Sequence, residues 1–331
     1  MEQMNVLVSD EISEDVIPEI EAIDPRINAR HVGGLITAET RGDRDAIVLL
    51  DGLLETADIY AGIRIPADLI RRAPRLKWIQ ITRAGVDRLL MNVHFRESAI
   101  VLTNVGGVHS YGPAELAIQA CLVHVKGTLE CARQKQSRIW EPFQTGVLKG
   151  RTMGIVGYGS IGQKVARVAK AFDMWVIATR RSTKRPTGAR YADLLLPLAQ
   201  INRLLSESDF VVMATPLTPE TYHLIGPAQL SLMKNDALLI NVSRGPTIDE
   251  SALAIALKQG QIAAAALDVF EQEPLPQDSP LWDLPNVIYS PHIAGNVPAY
   301  PRLVQDLFLQ NLGRYVRGEP LRSVVNKRRG Y

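Results

Sequence analysis

The chain has 331 residues, of which 46% are hydrophobic, and its formal net charge at pH 7 is +2. This length is enough for two domains with buried cores, because single cores usually stop growing at ~250–300 residues. Acidic and basic residues are interspersed except at Lys327-Arg328-Arg329, which we interpret as a solvated tail. The charge pattern therefore argues against a partner that is a nucleic acid or a membrane.

The cysteines and the amino terminus favour a cytoplasmic protein. Cys121 and Cys131 lack the spacing of a metal site or a redox pair, so we expect reduced, packed thiols. The amino terminus lacks the basic region and apolar stretch of a signal peptide, and no apolar run approaches the ~18 residues of a membrane span. Secretion and membrane insertion are therefore not expected.

Short apolar runs alternate with amphipathic helical patterns along the chain, which predicts parallel α/β sheets. The alternation has two centres. The first group of predicted strands comprises residues 5–8, 46–50, 76–81 and 100–102. The second group comprises residues 153–156, 175–178, 210–213, 237–242, 264–269 and 287–289.

Two long helices are predicted outside these groups. Residues 113–136 form a helical pattern with a proline in its first turn, and this helix is expected to join the two domains. A last helix is predicted over residues 300–317, closed by Gly318, in a position from which it can pack on the first domain.

A glycine-rich loop follows residues 152–156 and precedes a helical pattern. It reads Gly157-Tyr158-Gly159-Ser160-Ile161-Gly162. Gly157 permits the tight turn, Gly159 lets a pyrophosphate approach the backbone, and Gly162 allows close packing of helix on strand. Because the amino end of the following helix faces the phosphates, we predict that this loop binds a dinucleotide.

The end of the next strand predicts which dinucleotide is bound. NAD sites usually carry an acid there for the adenosine ribose. Here, eighteen residues past Gly162, the chain has Arg180, Arg181 and Ser182. Arginine makes charge-assisted, bidentate bonds to phosphate, so we predict NADP(H), with NAD possible at lower preference. The alternative interpretation is a solvated basic loop that includes Lys184 and Arg185.

Three later segments each place a charged or titratable residue directly after an apolar strand. Residues 241–245 carry Arg244, residues 268–274 carry Glu273, and residues 290–295 carry His292. Each residue alone is more often structural or solvated. Together they predict a site for proton transfer and carboxylate binding.

With the glycine loop, the segment 215–221 and these three segments in this order, the chain resembles the D-isomer-specific 2-hydroxyacid dehydrogenase family over nearly its whole length. The resemblance implies two doubly wound parallel-sheet domains. A Rossmann dinucleotide-binding domain, residues 104–292, is inserted into a flavodoxin-like substrate-binding domain, residues 1–103 and 293–331, with the active site in the cleft. The resemblance also implies a homodimer, and within the family it is nearest to NADP-preferring glyoxylate/hydroxypyruvate reductases.

The resemblance assigns the catalytic roles. Arg244 binds the carboxylate and polarises the carbonyl of a 2-oxo acid, His292 as an imidazolium donates the proton, and Glu273 hydrogen-bonds the other ring nitrogen. That acidic neighbour would favour the charged imidazole and fix its orientation. Ala84 and Gly85 match the family loop whose amides bind the substrate carboxylate, and a plain strand-ending turn is the alternative.

The resemblance also places Thr215, Pro216, Ser243 and Asp268 on the cofactor path. Asp268 matches the position that contacts the nicotinamide carboxamide, although a strand-end aspartate that caps the next turn is the alternative. No metal site is predicted, because no cluster has metal-ligand spacing, and His31, His94, His124 and His223 have no partners by spacing.

Several residues keep two interpretations. Arg83 faces either substrate or solvent, and His109 lies at the expected interdomain hinge. Trp140 either reaches the partner subunit's pocket or is buried in a dimer interface. Leu53 and Leu54 follow the predicted strand 46–50 and either contact the substrate or belong to the core.

These observations predict an NADPH-dependent reductase of a small 2-oxo acid, with glyoxylate and hydroxypyruvate first. The hydride would come from the nicotinamide and the proton from His292. Two alternatives stay open: an NAD-linked dehydrogenase of another D-2-hydroxy acid, and a nucleotide-sensing protein of the kind found in the family's corepressor branch.

Overall fold

The computed structural model describes residues 3–331. It divides into two compact units: the first comprises the described residues up to Val108 together with Pro298–Tyr331, and the second comprises His109–Val297. The second unit is therefore inserted into the chain of the first. The predicted boundaries after residues 103 and 292 precede the observed divisions after residues 108 and 297. The functional roles predicted for the two domains stay predictions.

The elements are numbered in chain order. The strands are β1 (Met4–Val8), β2 (Ile27–His31), β3 (Ile59–Gly62), β4 (Trp78–Ile81), β5 (Val101–Thr103), β6 (Thr152–Val156), β7 (Trp175–Thr179), β8 (Thr187–Ala189), β9 (Ala192–Leu196), β10 (Phe210–Met213), β11 (Leu238–Asn241), β12 (Ala264–Leu267) and β13 (Val287–Tyr289). The α-helices are α1 (Ile17–Glu21), α2 (Gly33–Thr40), α3 (Arg44–Glu55), α4 (Leu69–Arg72), α5 (Asp87–Met91), α6 (Val93–Glu97), α7 (Tyr111–Val125), α8 (Thr128–Ser137), α9 (Ser160–Ala171), α10 (Ile201–Glu207), α11 (Pro227–Leu230), α12 (Glu250–Lys258) and α13 (Tyr300–Val316). Among these helices, none combines the length and the hydrophobicity required to cross a membrane.

The first unit is built on a parallel sheet of order β2-β1-β3-β4-β5. Successive residues of a strand face opposite sides, so Val6 and Val8 enter one apolar cluster and Leu7 enters the other. Both faces of the sheet are covered, as expected for parallel strands. The last helix, α13, packs on this sheet through Phe308, whose ring centroid lies 5.7 Å from that of Trp78.

The predicted strand 46–50 is wrong, because these residues lie within α3. The side chain of Asp43 caps this helix by accepting hydrogen bonds from the amides of Asp45 and Ala46. The buried positions of α3 recur every four residues, whereas Val48 and Leu49 are 71% and 57% exposed. A short apolar run fits a strand and a helix equally well, and here the cap and the burial period decide for a helix.

The predicted single helix 113–136 is two helices. The chain turns at Gly127, whose φ of +60° is a left-handed conformation that favours glycine. α7 ends before this residue and α8 begins after it, and both belong to the second unit. They therefore do not connect the two units as the sequence predicted.

The second unit contains a sheet of order β13-β12-β11-β10-β6-β7-β9-β8, parallel except for the antiparallel pair β8 and β9. The chain builds outward from β6 in both directions, towards β7 on one side and β10 on the other. Parallel sheets of this kind bind ligands at the carboxyl ends of the strands, where the order reverses. The predicted α/β fold with two parallel sheets is confirmed.

Candidate active site

The glycine loop lies where the strand order reverses, directly after β6. Gly157 has a φ of +106°, and a Cβ placed on it would lie 2.6 Å from the carbonyl oxygen of Ala214. A Cβ on Gly162 would lie 2.2 Å from the carbonyl oxygen of Gly157. At Gly159, by contrast, a Cβ would meet nothing within 4 Å. Two glycines are therefore required by packing, and the middle one borders open space that a phosphate group fits.

The amino end of α9 adds donors to this space. The helix starts at Ser160 with Gly159 as its N-cap, and no side chain caps its first amides. Ser160 is exposed and Ile161 is partly buried. Uncapped first-turn amides carry a partial positive charge and bind anions, so the loop fits the pyrophosphate of a dinucleotide.

The loop after β10 lies against the glycine loop. A Cβ on Gly157 would come within 2.9 Å of the side chain of Thr215, which is 8% exposed. Within residues 3–331, the Thr215 hydroxyl has no hydrogen-bond partner. A buried hydroxyl without a partner is costly, and a polar ligand beside Gly157 would satisfy it. Pro216 is exposed next to it, and its carbonyl accepts a bond from Thr221.

Arg180, Arg181 and Ser182 follow β7 and are exposed. The backbone amide of Arg180 donates to the carbonyl of Leu196 (3.0 Å) at the end of β9. The pKa of Glu220 in the loop after β10 is lowered, first by a hydrogen bond from Thr218 and further by the positive charge of Arg181. The basic loop after β7 is therefore close to the loop that carries Thr215.

The predicted acid and its partner are in contact. Nδ1 of His292 lies 2.8 Å from Oε2 of Glu273, and the other carboxylate oxygen of Glu273 accepts from the amide of Phe270 (3.1 Å). His292 adopts a left-handed backbone conformation with a φ of +52°. Because Glu273 binds Nδ1, the Nε2 atom is left to face a substrate.

Arg244 follows β11, which lies next to β12 and two strands from β13. Its Nη1 donates to the carbonyl of Ser243 (2.7 Å), and its own carbonyl accepts from Asn241 and Thr247. The carboxyl ends of neighbouring parallel strands meet at one edge of the sheet. Arg244, Glu273 and His292 therefore follow β11, β12 and β13 at the same edge.

The chain is similar to proteins of known families. The model described as D-isomer specific 2-hydroxyacid dehydrogenase, NAD binding domain, matches residues 118–294. The glyoxylate reductase of Pyrococcus horikoshii is 36% identical over 320 residues, which cover 92% of this chain and 93% of that protein. The chain belongs to the D-isomer specific 2-hydroxyacid dehydrogenase family. The resemblance predicted from the motifs is confirmed, and with it the enzyme class of the family, NAD(P)-dependent D-2-hydroxyacid dehydrogenases.

Two further relatives frame the family assignment. The D-3-phosphoglycerate dehydrogenase of Methanocaldococcus jannaschii is 32% identical over 329 residues, which cover 98% of this chain. The chain spans only 59% of the length of that relative. A solved structure of an NADPH-dependent glyoxylate/hydroxypyruvate reductase from Sinorhizobium meliloti, in complex with NADP and sulfate, superposes with a TM-score of 0.83 at 26% identity. The superposition covers 99% of this chain and 100% of the Sinorhizobium chain.

Asp268 holds the turn that carries His292. Its carboxylate is 2% exposed and accepts bonds from the Ser290 hydroxyl and from the amides of Ile293 and Ala294. Its carbonyl accepts from the amide of His292 (2.8 Å). The capping interpretation is thus observed in the structure, and the nicotinamide contact implied by the family stays a prediction.

The structure reveals two supporting residues that the sequence analysis missed. The Asn241 side chain accepts from the amide and hydroxyl of Ser243 and donates to the carbonyl of Arg244, so it shapes the segment that carries both. At Gly245 a Cβ would lie 1.9 Å from the backbone of Phe270. The segment that carries Arg244 therefore packs directly on the segment that carries Glu273. The signal was present, since Asn241 and Gly245 bracket the Arg244 motif.

Ala84 and Gly85 lie in the first unit after β4 and are partly exposed. The Asn104 side chain donates to the carbonyl of Ala84 (2.7 Å), and Tyr300 donates to the carbonyl of Thr82 (2.6 Å). Arg83 is exposed and its guanidinium lies 3.4 Å from Glu11. The predicted binding of the substrate carboxylate by Ala84 and Gly85 stays a prediction.

The structure supports the core interpretation of Leu54, places His109 at a division between the two units, and corrects the prediction for His223. Leu54 is fully buried in the core of the first unit and does not line a binding site. The ring of His109 packs on Gly295, where a Cβ would lie 2.8 Å away. His223, expected to have no partner, places Nε2 2.7 Å from Oε1 of Glu271.

The same histidine belongs to a group that could hold a metal ion. Ligand atoms of His223, Asp249 and Glu271 lie within 4.8 Å of one another. The prediction of no metal site rested on spacing along the chain. Spacing could not indicate this group, because its three residues come from separate segments of the chain.

Proposed function

We propose that the chain is an NADPH-dependent reductase that converts a small 2-oxo acid, glyoxylate or hydroxypyruvate first, to the 2-hydroxy acid, with NAD accepted at lower preference. The observation that carries this proposal is the contact of 2.8 Å between His292 and Glu273 beside the segment that carries Arg244. The name of the Pyrococcus relative and the description of the Sinorhizobium structure support the substrate class and the coenzyme.

Bound NADPH supplies the hydride that reduces the carbonyl carbon. His292 donates the proton from Nε2 to the carbonyl oxygen, while Glu273 accepts a hydrogen bond from Nδ1–H and stabilises the imidazolium. Arg244 binds the carboxylate of the substrate and polarises its carbonyl by charge-assisted hydrogen bonds. One 2-oxo acid, one NADPH and one proton thus give one 2-hydroxy acid and NADP⁺.

Three features of this chain support the binding of a dinucleotide. Gly159 borders open space, the amino end of α9 is uncapped, and the buried Thr215 hydroxyl has no partner within residues 3–331. Arg180 and Arg181 would bind the 2′-phosphate that distinguishes NADP from NAD. Ser182 adds a hydroxyl donor beside them.

A second candidate function is an NAD-linked dehydrogenase of another D-2-hydroxy acid. It is favoured by the Methanocaldococcus D-3-phosphoglycerate dehydrogenase, which matches nearly the whole chain. The same three residues would run that reaction, with a different side group on the substrate. Coenzyme preference and substrate size therefore separate the two candidates.

The chain is further proposed to form a homodimer. The segment after α8 exposes apolar side chains: Ile139, Trp140, Phe143 and Val147, with Trp140 95% exposed. Exposed apolar side chains that lie within a few residues of one another are typical of interaction sites. Light scattering during size-exclusion chromatography should give twice the mass of one chain, and a single-chain mass would rule the dimer out. The cytoplasmic location stays a prediction.

The decisive experiment is a panel of 2-oxo acids assayed with NADPH and with NADH. We expect oxidation of NADPH with glyoxylate and hydroxypyruvate, at higher kcat/KM than with NADH. Higher kcat/KM with NADH and a larger or phosphorylated acid would favour the second candidate. Tight NADPH binding without turnover on any acid would favour the nucleotide-sensing alternative.

A further inference from the structure

The basic loop that follows β7 begins at a strand end that is bonded to the backbone of the glycine loop. The amide of Tyr158 donates to the carbonyl of Thr179 (2.8 Å), and the amide of Gly157 donates to its hydroxyl (3.3 Å). Thr179 is the last residue of β7 and directly precedes Arg180. The first end of the loop is therefore fixed to the glycine loop.

The hairpin that follows the loop is bonded to the same tyrosine. β8 and β9 form an antiparallel hairpin, and the Tyr158 hydroxyl donates to the carbonyl of Arg190 in its turn. Tyr158 is 4% exposed. Burial raises the pKa of Tyr158, and Tyr191 adds to this rise while the charge of Arg180 opposes it. The hydroxyl therefore stays protonated and can donate, and Arg180 lies near it.

Residues 180–186 thus form a loop between β7 and the β8–β9 hairpin. Tyr158 bonds both flanking elements: its amide bonds the end of β7, and its hydroxyl bonds the hairpin turn at Arg190. The loop carries Arg180, Arg181, Ser182, Lys184 and Arg185, and most of it is exposed. If the hairpin were held by strand pairing alone, the exposed loop would sample more conformations, and binding a phosphate would cost more entropy of ordering it.

We propose that Tyr158 is a positioning residue for coenzyme selection. By bonding the hairpin turn, its hydroxyl holds the basic loop where Arg180 and Arg181 meet the 2′-phosphate of NADP. The proposal rests on the proposed function, because it needs the basic loop to be the 2′-phosphate site. Tyr158 itself touches no phosphate in this role and acts through the loop.

The test is Tyr158→Phe, which keeps the ring and removes only the hydroxyl. Dissociation constants for NADPH and NADH are measured by calorimetry, without a substrate, for the wild type and the variant. A buried hydrogen bond of this kind corresponds to a change of about three- to tenfold. We expect binding of NADPH to weaken by that factor and binding of NADH by less than about twofold. An equal loss for both coenzymes, or no loss, overturns the proposal.

A matched control comes from the first unit. Tyr60 is also fully buried, and its hydroxyl likewise donates to a backbone carbonyl, that of Arg64. Tyr60→Phe removes a buried tyrosine hydroxyl, which also lies 2.9 Å from the Ser9 hydroxyl, at a site that is not in the second unit. It should lower the melting temperature and leave the ratio of the two dissociation constants unchanged. A change in that ratio would show that general loss of stability explains the effect of Tyr158→Phe.

A measurement on the wild type keeps the test decisive if Tyr158→Phe does not fold. Amide exchange of residues 180–192 is followed with NADPH and with NADH at saturation. We expect NADPH to slow exchange through the hairpin turn at Arg190 more than NADH does. Equal protection by the two coenzymes contradicts the proposal.

The outcomes separate this inference from the function on which it rests. If the wild type binds NADPH no more tightly than NADH, the coenzyme part of the proposed function fails and the role of Tyr158 fails with it. If the wild type prefers NADPH and Tyr158→Phe keeps the same preference, only the role of Tyr158 fails.

Discussion

On one side of β6, the segments after β11, β12 and β13 are joined by buried polar side chains and by direct packing. Asn241 holds the Arg244 segment, Gly245 packs on the next segment, and Asp268 holds the turn of His292. On the other side, the loop after β7 is exposed, and Tyr158 bonds the two elements that flank it, β7 and the turn of the β8–β9 hairpin. Proton transfer requires atoms fixed to fractions of an ångström, and the catalytic side is held by contacts within its own segments, whereas the exposed basic loop is held through the elements that flank it.

Removal of the proton donor should lower activity the most, because the contacts among the segments after β11, β12 and β13 hold this group in place. His292→Ala is expected to lower kcat by ~10²–10⁴-fold, the usual contribution of general acid catalysis. NADPH binding, measured by calorimetry, should stay within about twofold of the wild type. A kcat near that of the wild type would remove His292 as the proton donor.

Removal of the Asp268 carboxylate, which holds the turn of His292, should have the second-largest effect. Asp268→Ala removes an acceptor of several hydrogen bonds, and the free energy of unfolding should fall by ~1.5–3 kcal/mol or more. Because the turn of His292 loosens, kcat should also fall by at least about tenfold. The control is Asp43→Ala, which removes the cap of α3 at a cost of ~0.5–2 kcal/mol. If both variants lose stability but keep kcat, the Asp268 carboxylate has only a structural role.

A smaller effect is expected on the exposed side. Arg180→Ser should weaken NADPH by about tenfold, the equivalent of one charge-assisted hydrogen bond, and NADH by much less. Because the loop is exposed, salt should screen its attraction for phosphate over about 10 Å. Raising ionic strength should therefore weaken NADPH more than NADH in the wild type. If salt affects both coenzymes equally, the basic loop is a solvated loop.

The smallest effect concerns the packing behind the sheet. His124 in α7 is partly buried, and its ring meets Phe210 of β10 edge-on at 6.4 Å. Burial lowers the pKa of His124 from its ordinary 6.5, and the charge of Arg151 lowers it further, while Asp236 opposes this. As pH falls below 6.5, the unfolded chain therefore takes up the proton first, and this histidine's contribution to stability is lost.

The measurement is the free energy of unfolding between pH 7 and pH 5. The loss from one such proton is at most about 1.4 kcal/mol per pH unit. His124→Gln should flatten the dependence on pH, because it removes the group that takes up this proton. If His124→Gln leaves the slope unchanged, protonation of His124 does not cause the loss of stability at low pH.

The sequence predicted the features that are encoded within a few residues. The glycine loop, the strands around it and the segments of Arg244, Glu273 and His292 each depend on short-range patterns, and the structure places them as described. The predicted strand 46–50 is wrong because a short apolar run fits a strand and a helix equally well. The break at Gly127 was not predicted because a single glycine is tolerated within a helical pattern.

Contacts between distant residues could not be predicted from spacing. His223 and Glu271 are 48 residues apart, and Tyr158 and Arg190 are 32 residues apart. β8 and β9 also escaped prediction, because β9 is a strand through its pairing with β7, and β8 is a strand through its pairing with β9 at the end of the sheet. Such contacts exist only after the sheet has formed, so the residues that support a site are harder to find than the residues that perform its chemistry.

The segment between Asp268 and Glu273 binds His292 twice, once through its turn and once through its ring. A displacement of this segment would therefore carry the histidine and its carboxylate partner together and leave the distance between them unchanged. The acid and its partner are thus both bonded to the segment that follows β12. A displacement of this segment can thus change how His292 and Glu273 approach a substrate without separating the ring from the carboxylate.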